Sequence, residues 1–275
     1  MKTDIFDLNG DKIDEINLPI QFNEEIREDL IRRAVLAVQS TRRHSHGASP
    51  EAGKRASAKI SRRRKDFKTA YGHGISRVPR KSLWHRGKQF GWVGAFAPGT
   101  VGGRRAHPLK SEKILIKKIN DNERRKAIRS AISAGKIKVV DSSFESLNKT
   151  KSVREALEKL GLKDELKRLN VKIIRAGKGK SRGRKYRIKK GPLIIVSDNC
   201  QLLKSAINLQ GLDVCVVNFL NAELLAPGGN PGRLAIWSKK SIEKLEKENL
   251  FLNKKRDKIK FLKKSSIKKE EGVKE

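Results

Sequence analysis

A long basic segment separates two amphipathic helical patterns and limits how this chain can fold. From Arg42 to Arg105 the sequence carries 17 Lys or Arg residues, ten glycines and two acidic residues, Glu51 and Asp66, a local net charge of +15. The segment continues to about Lys113. Loops longer than about 15 residues are uncommon inside compact domains and are usually functional or disordered. We therefore predict an extended segment, residues 42–113, that binds a partner.

The overall charge indicates the chemical class of that partner. The chain of 275 residues has 65 Lys or Arg and 30 Asp or Glu residues, a formal net charge of +35. A polyanion relieves this self-repulsion, and charge of this density favours nucleic acid over an acidic protein. No apolar run approaches 18 residues, and the first residues lack a signal-peptide pattern. These features predict a soluble, cytoplasmic protein without a membrane partner.

The rest of the chain predicts a single globular α/β domain, formed by residues 1–41 and 114–252. Its second half alternates strands with helices, which is typical of a mainly parallel sheet with helices on both faces. The aliphatic run Leu193–Val196 suits a central strand that is buried on both sides. The basic segment leaves this domain as a long internal loop, and residues 253–275 form a basic C-terminal tail.

Turn and capping residues predict the individual elements. A hairpin turns on Asn9-Gly10, a helix begins with Asn23 as its N-cap, and Gly135 ends a second helix as the C′ residue. This second helix is capped at Asp121-Asn122 and extends through Ser133. The other predicted elements are strand Lys136–Val140, a helix pair joined at Gly161, strand Val171–Arg175, strand Leu193–Val196, helix Cys200–Leu209, strand Val214–Val217, strand Leu234–Trp237 and helix Ser241–Lys247.

Incomplete motifs argue against nucleotide and metal binding. Gly177–Ser181 resembles part of a phosphate-binding loop, but Ile174 stands where the first glycine belongs. Arg182 likewise replaces the last glycine of a dinucleotide fingerprint. His44 and His46 have no Cys, Asp or Glu cluster nearby to complete a metal site. Because no activated nucleophile or apolar pair of acids is evident either, we predict no enzyme activity, no cofactor and no bound metal.

Basic and aromatic side chains together favour RNA as the polyanion. Arg62–Lys65 offers four consecutive cations, and Arg175–Lys190 carries nine Lys or Arg residues and no acid. A solvated linker would explain these charges but not the aromatic residues, whose planes can stack on unpaired bases. Glycines would allow close approach of the backbone to RNA. Five aromatic or imidazole side chains lie close together around Arg86 and Lys88, at Trp84, His85, Phe90, Trp92 and Phe96.

Several stretches resemble a known family. Phe96–Lys110, with the sequence FAPGTVGGRRAHPLK, and Asn122–Ala131, with the sequence NERRKAIRSA, resemble the L-four family of large-subunit ribosomal proteins in its archaeal and eukaryotic form. Gly228-Gly229 with Pro231–Ser238 is similar to the C-terminal signature of that family, and Arg42-Arg43 after the first helix also matches. The resemblance covers essentially the whole chain except the Lys-rich tail.

The resemblance implies a structural constituent of the large ribosomal subunit that binds rRNA, aids its assembly and lines part of the peptide exit tunnel. The implied partners are large-subunit rRNA, neighbouring ribosomal proteins including the L-twenty-two family protein at the tunnel constriction, and the nascent peptide, with no homo-oligomer. The loop tip is expected near residues 84–96, with tunnel-lining residues Arg86, Gly87, Lys88, Gln89, Phe90, Gly91 and Trp92. The expected RNA-binding residues are Arg42, Arg43, Arg62, Arg63, Arg64, Lys65, Arg77, Arg80, Lys81, Trp84, Arg104, Arg105, His107, Lys110, Arg124, Arg125, Arg129, Lys178, Lys180, Arg182, Arg184 and Lys185.

Two other functions are compatible with the residues alone. An RNA-modifying or RNA-cleaving enzyme could use the basic segment as a guide, but it would need an activated acid–base pair or a cofactor pocket. A free RNA chaperone or regulator would bind varied RNAs without stable residence in the large subunit. Sedimentation of a cell lysate separates these possibilities, because only a ribosomal constituent remains with large subunits.

Overall fold

The computed structural model of the protein describes residues 2–66, 69–87 and 89–253. The chain divides into two compact units, Met1–Arg42 with Lys117–Glu275, and Arg43–Ile116. The first unit contains the α/β sheet, and the second contains the basic segment. The predicted tail beyond Asn253 and the predicted tunnel residue Lys88 lie outside the described residues.

Strands and helices alternate through the first unit, and a β-hairpin lies in the second. The strands are β1 (Lys2–Phe6), β2 (Lys12–Asn17), β3 (Arg80–Arg86), β4 (Gln89–Gly94), β5 (Lys136–Val140), β6 (Ile173–Ile174), β7 (Tyr186–Arg187), β8 (Leu193–Val196), β9 (Asp213–Val216) and β10 (Leu234–Ser238). The α-helices are α1 (Glu28–Thr41), α2 (Asp121–Ala134), α3 (Thr150–Leu157), α4 (Lys163–Asn170), α5 (Gln201–Ala206), α6 (Ala222–Leu225) and α7 (Lys239–Lys247). Short 3₁₀ turns cover Ile20–Phe22, Ser142–Ser146, Lys180–Arg182, Val217–Phe219 and Pro227–Gly229, and a π-turn covers Glu158–Leu162.

Six strands form the sheet of the first unit, in the order β2-β1-β5-β10-β8-β9. The pairs β1–β5, β5–β10, β10–β8 and β8–β9 are parallel, and β2 pairs antiparallel with β1 at one edge. The prediction of a mainly parallel α/β sheet is therefore confirmed. The last strand in the sequence, β10, lies between β5 and β8, so the order of strands in space differs from their order in the chain.

Two apolar clusters pack on opposite faces of the sheet. Along β8, Leu193 and Ile195 belong to one cluster, and Ile194 and Val196 belong to the other. This assignment follows from the strand period of two, which points successive side chains to opposite faces. Residues of α1 and α2 contribute to the first cluster, and residues of α3 and α5 contribute to the second. Burial on both faces explains why β8 is aliphatic at every position.

The first helix begins four residues later than the capping pattern predicts. Asn23 follows a 3₁₀ turn instead of capping α1, which starts at Glu28. Contacts with α2 hold this segment away from a helical path. Glu24 accepts a hydrogen bond from Arg129 at 2.7 Å, and its carbonyl accepts one from Ser133 Oγ at 2.6 Å. These tertiary bonds satisfy groups that the predicted first turn would have used.

Other predicted boundaries hold or shift for local reasons. Gly161 adopts φ +79° between α3 and α4, which confirms the predicted join of a helix pair. Helix α2 ends at Ala134, so the prediction that Gly135 stops it is confirmed, although Gly135 is the C-cap residue and not C′, with an extended backbone at φ −75°. The predicted strand Val171–Arg175 is reduced to Ile173–Ile174, which pairs only with β7. The β3–β4 hairpin was not predicted at all.

A buried arginine side chain connects the segment before β10 with α6 and with the starts of β8 and β9. Arg233, whose side chain is 6% exposed, donates to Gly191 O at 2.7 Å and to Leu224 O at 2.7 Å. It also forms an ion pair with Asp213 Oδ2 at 2.6 Å, and Lys190 binds the same carboxylate at 2.8 Å. The rigid guanidinium fork suits several acceptors at once. Arg233 therefore connects the loop before β10 with the starts of β8 and β9.

The Asp213 carboxylate should make stability depend on pH. Burial alone would raise its pKa, but hydrogen bonds from Lys190 and Arg233 bring the pKa below its ordinary value. The stabilising contribution is therefore complete above the unfolded pKa of about 3.9 and is lost as pH falls through the lower folded pKa. We expect Asp213→Asn to unfold at a lower temperature than the parent chain at pH 6. The difference between the two melting temperatures should shrink at about pH 3. A difference that stays constant with pH would contradict this role of the carboxylate.

Candidate nucleic-acid interface

The four consecutive cations Arg62–Lys65 lie on an exposed turn of the second unit. Ser61 closes this turn, because its hydroxyl donates to Asp66 Oδ2 at 2.8 Å and accepts from the Arg63 N–H at 3.2 Å. The four side chains therefore point outward from a turn held by its own polar residues. Such an arrangement presents closely spaced positive charges to a polyanion, without any packing role for the side chains that carry them.

Two stretches of the basic segment pack against each other through glycines. The N–H of Ala48 donates to Leu109 O at 2.9 Å, and a side chain at Gly47 would meet the backbone of residues 109–111. Gly53 likewise lies directly against the backbone of Arg104. These contacts bring the first stretch, 47–54, onto the second, 103–112. A surface pocket of about 550 Å³ between them is lined by several cations, Lys54, Arg104, Arg105 and Lys110.

The middle of the segment forms an antiparallel hairpin of β3 and β4. Arg80 pairs with Gly94 at its base and Arg86 pairs with Gln89 at its end, next to Gly87 at φ +56°. Alternation along the strands separates two faces. One face carries Phe90 and Trp92, whose rings meet edge to face at 5.2 Å, with the Arg80 guanidinium 5.5 Å from the Trp92 ring centre. The other face carries Trp84 and Lys81.

Glycines of this hairpin accommodate the protein's own side chains. The indole of Trp84 lies on Gly91, its partner across the strands, so that a Cβ at position 91 would overlap the ring. At Gly94 a Cβ would meet Thr100 Cγ2 at 2.8 Å. The sequence pattern suggested that these glycines let RNA approach the backbone, and the structure supplies an intramolecular reason instead. Trp84 remains 55% exposed, so much of its surface is free to contact a partner.

Other predicted RNA-binding residues of this unit are also at the surface. The Arg77 guanidinium lies 4.7 Å from the centre of the Tyr71 ring, and Arg104 lies 5.9 Å from that of Phe96. These cation–π contacts orient the arginines while leaving their charge accessible. The remaining predicted residues of the unit, Arg43, Arg105, His107 and Lys110, are exposed.

A second basic hairpin belongs to the α/β unit. Strands β6 and β7 pair through Ile173 with Arg187 and Ile174 with Tyr186. The connection between them turns at Gly183, with φ +77°, and exposes every cation predicted there: Lys178, Lys180, Arg182, Arg184 and Lys185. The glycine-rich connection leads into strand β7, whereas a nucleotide-binding loop leads into an α-helix. Clustered lysines and arginines on a short protruding turn suit a phosphate backbone.

The predicted basic residues of α1 and α2 have different environments. Arg124 is 53% exposed beside Asp121, and Arg42 is 64% exposed in an ion pair with Glu223 at 2.9 Å. Arg125 is half-buried and donates to Leu252 O at 2.5 Å. Arg129 is 7% exposed and binds Glu24 and Phe251 O, so its guanidinium stabilises the fold. We therefore leave Arg129 out of the proposed RNA-binding surface.

The described part of the chain contains neither a cluster of metal-binding side chains nor a membrane-spanning helix. No three His, Cys, Asp or Glu side chains converge there as metal ligands would. The His46 ring instead contacts the backbone carbonyl of His44 at 3.0 Å. Among the described helices, none has the length and apolar character needed to cross a membrane.

Comparison with known proteins assigns the family. The model of the ribosomal protein L4/L1 family matches residues 16–248. A large ribosomal subunit protein uL4 of Nanoarchaeum equitans is 47% identical over 91% of this chain and all of the relative. The uL4 proteins of Methanocaldococcus jannaschii and Archaeoglobus fulgidus are 43% and 41% identical, each over about nine-tenths of this chain and 98% of the relative. The resemblance noted in Phe96–Lys110 and Asn122–Ala131 is thus confirmed, and this chain belongs to the ribosomal protein L4/L1 family.

Proposed function

We propose that this chain is a structural constituent of the large ribosomal subunit that binds large-subunit rRNA and is not an enzyme. Membership of the L4/L1 family carries the proposal, because the relatives are named as large ribosomal subunit proteins. The basic unit Arg43–Ile116 supports it, since exposed cations and aromatic side chains occur together there. Its location is the ribosome in the cytoplasm. Its role in assembly is to neutralise phosphates that would otherwise repel as RNA helices pack together.

Two sets of side chains form the proposed RNA contacts. The first set is in the basic unit: Arg43, Arg62, Arg63, Arg64, Lys65, Arg77, Arg80, Lys81, Trp84, Arg104, Arg105, His107 and Lys110. The second set is in the α/β unit: Arg42, Arg124, Arg125, Lys178, Lys180, Arg182, Arg184 and Lys185. The cations bind phosphates, which positions the protein, and the Trp84 ring stacks on an unpaired base. A tagged full-length chain should sediment with large subunits at low salt. Recovery only as free protein, or on varied RNAs, would favour a free RNA chaperone instead.

The β3–β4 hairpin is the part that we propose to line the peptide exit tunnel. Of the expected tunnel residues that the structure describes, Arg86 ends β3, Gly87 follows it, and Gln89, Phe90, Gly91 and Trp92 lie in β4. A two-stranded ribbon is narrow and places a short turn at its far end, which suits a constriction beside a nascent peptide. The proposed neighbours at this place are the L-twenty-two family protein and the nascent peptide itself.

Shortening the hairpin should test the tunnel role without disturbing either unit. Trp84 and Gly91 are paired across the ladder, so residues 85–90 can be replaced by Asn-Gly, a sequence that favours a tight hairpin turn, while the proposed RNA contacts Lys81 and Trp84 are kept. We expect this variant to fold and enter large subunits. Photocrosslinks from nascent chains to the protein should be lost, since the turn no longer reaches the peptide.

The control for this experiment is Gln89→Ala, which keeps the hairpin and should retain the crosslink. Crosslinking that persists in the shortened variant would contradict a tunnel position for Arg86–Phe90. Unfolding of the shortened variant would instead show that the hairpin belongs to a packed core.

A further inference from the structure

An apolar groove lies at the base of the second basic hairpin, outside the residues proposed to bind RNA. It has a volume of about 510 Å³ and lies between β7 and the turn after α5. Its rim exposes branched aliphatic side chains, with Ile188 77% and Ile207 76% exposed and Val171 58% exposed. Leu169 and Leu212, which are buried, form part of its floor. Contiguous exposed apolar surface of this kind marks an interaction site in soluble proteins.

The cations around the groove are of two kinds. Lys190 is paired with Asp213, and Lys189 donates to the carbonyl of Arg168. Lys172 and Arg187 also line the groove, and neither forms an ion pair with another residue of the described chain. The groove therefore combines an apolar floor with uncompensated positive charge at its edge, which complements an apolar side chain flanked by carboxylates.

The geometry favours a protein over RNA as the occupant. The Tyr186 ring is the aromatic surface of the groove, but Lys172 Nζ lies 5.6 Å and Lys185 Nζ lies 5.7 Å from its centre. Ammonium groups over the ring compete with a base for its face. The other exposed groups, Ile188 and Ile207, are branched and offer no flat surface for stacking. They fit the aliphatic side chains of a peptide instead.

The positive charge of the chain also argues against its own C-terminal tail, or a second copy of the chain, as the occupant of the groove. Residues 254–275 contain ten Lys or Arg and four acidic residues, so this tail has the same sign of charge as the rim. A second copy of the chain carries a net charge of +35 and is likewise repelled. A segment of a different protein that carries local negative charge would be attracted to the rim and not repelled by it.

We propose that this groove docks an acidic, apolar segment of a neighbouring protein in the large subunit. The proposal rests on the proposed function, because residence in the subunit brings the neighbour into reach. An aliphatic or aromatic side chain of the segment occupies the space between Ile188 and Ile207, and its flanking carboxylates meet Lys172 and Arg187. The basic turn Lys178–Lys185 remains available to RNA, so one hairpin binds two kinds of partner.

Photocrosslinking in purified large subunits tests this docking. Benzoylphenylalanine is placed at position 207 of the tagged full-length chain and, as the matched control, at position 13. Ile13 is 59% exposed on β2, at the opposite edge of the sheet from β9. Co-sedimentation with subunits reports the proposed function, and the crosslink reports the docking, so failure of one is distinguishable from failure of the other.

Docking predicts an RNase-resistant crosslink at position 207 to one protein, in a peptide where Asp or Glu flanks an apolar residue. Its yield should be several-fold above that from position 13. Adding Ile188→Glu should lower the yield at least about tenfold, as expected when a central apolar contact is lost, whereas Ile188→Leu should retain it. A crosslink to RNA, to this chain itself or to a segment without acids would overturn the proposal. So would a yield equal to that of the control, or no effect of Ile188→Glu.

Discussion

Replacing Arg62, Arg63, Arg64 and Lys65 with glutamate should strongly reduce incorporation of the protein into large subunits. The four side chains are exposed on a turn that Ser61 and Asp66 close, so the change leaves the packing of the unit intact. Each phosphate contact contributes about 0.7 to 0.9 to the slope of log affinity against log salt concentration. Loss of four contacts should lower that slope by about three, and the new carboxylates add repulsion from phosphates.

The measurement is binding of the full-length chain to large-subunit rRNA across a series of salt concentrations, followed by sedimentation of subunits. The control replaces four exposed lysines of the α/β unit with glutamate, namely Lys2, Lys151, Lys167 and Lys247. Both variants lower the net charge from +35 to +27, because each substitution changes it by two. An equal loss of binding in the two variants would mean that total charge, and not the Arg62–Lys65 turn, determines affinity.

Arg233→Ala should destabilise the α/β unit by about 2–3 kcal/mol, less than the cost of removing one partner from a fully buried ion pair because Asp213 is 25% exposed and keeps Lys190. The substitution leaves Asp213 with Lys190 alone and removes the donor from the carbonyls of Gly191 and Leu224. Gly191 precedes β8, Asp213 begins β9 and Leu224 lies in α6, so the substitution removes the contacts that connect these three elements to the residue preceding β10. Urea denaturation followed by circular dichroism measures the change in the free energy of unfolding.

Arg124→Ala is the matched control for this substitution. Arg124 is 53% exposed and pairs with Asp121 three residues earlier, so its loss should cost about 0.5 kcal/mol or less. Arg233→Lys should fall between the two, because an ammonium can keep the Asp213 contact but not the fork of hydrogen bonds. If Arg233→Ala and Arg124→Ala unfolded at the same urea concentration, the buried network would have no special role.

The sheet is the part of the fold that sequence pattern predicts best. Lys136–Val140 and Leu193–Val196 both have the predicted bounds. For Leu193–Val196 the reason is that a parallel strand buried on both faces requires a continuous aliphatic run, and few alternatives satisfy it. The position of β10 between β5 and β8 was not predictable in the same way. Periodicity reports which residues are buried but not which strand lies beside which.

The sequence around Gly87 contains a pattern that is compatible with the β3–β4 hairpin. Gly87 lies between aromatic and β-branched residues, from Trp84 to Val93, which is a pattern typical of a hairpin. High charge and the other glycines favoured an irregular loop. The deciding contact is the indole of Trp84 on Gly91, which exists only once the two strands are in register.

The sequence alone determined the class of the protein, because a charge of +35, a basic segment and long family motifs do not depend on which residues touch. Tertiary structure decided what individual side chains do. Arg124 and Arg129 belong to the same helix and both suggested RNA binding, yet packing against Glu24 buries Arg129 and leaves Arg124 at the surface. Because Glu24 forms this ion pair with Arg129, α1 begins at Glu28 and not directly after Asn23. The groove between Ile188 and Ile207 likewise joins residues 19 positions apart, which only folding brings together.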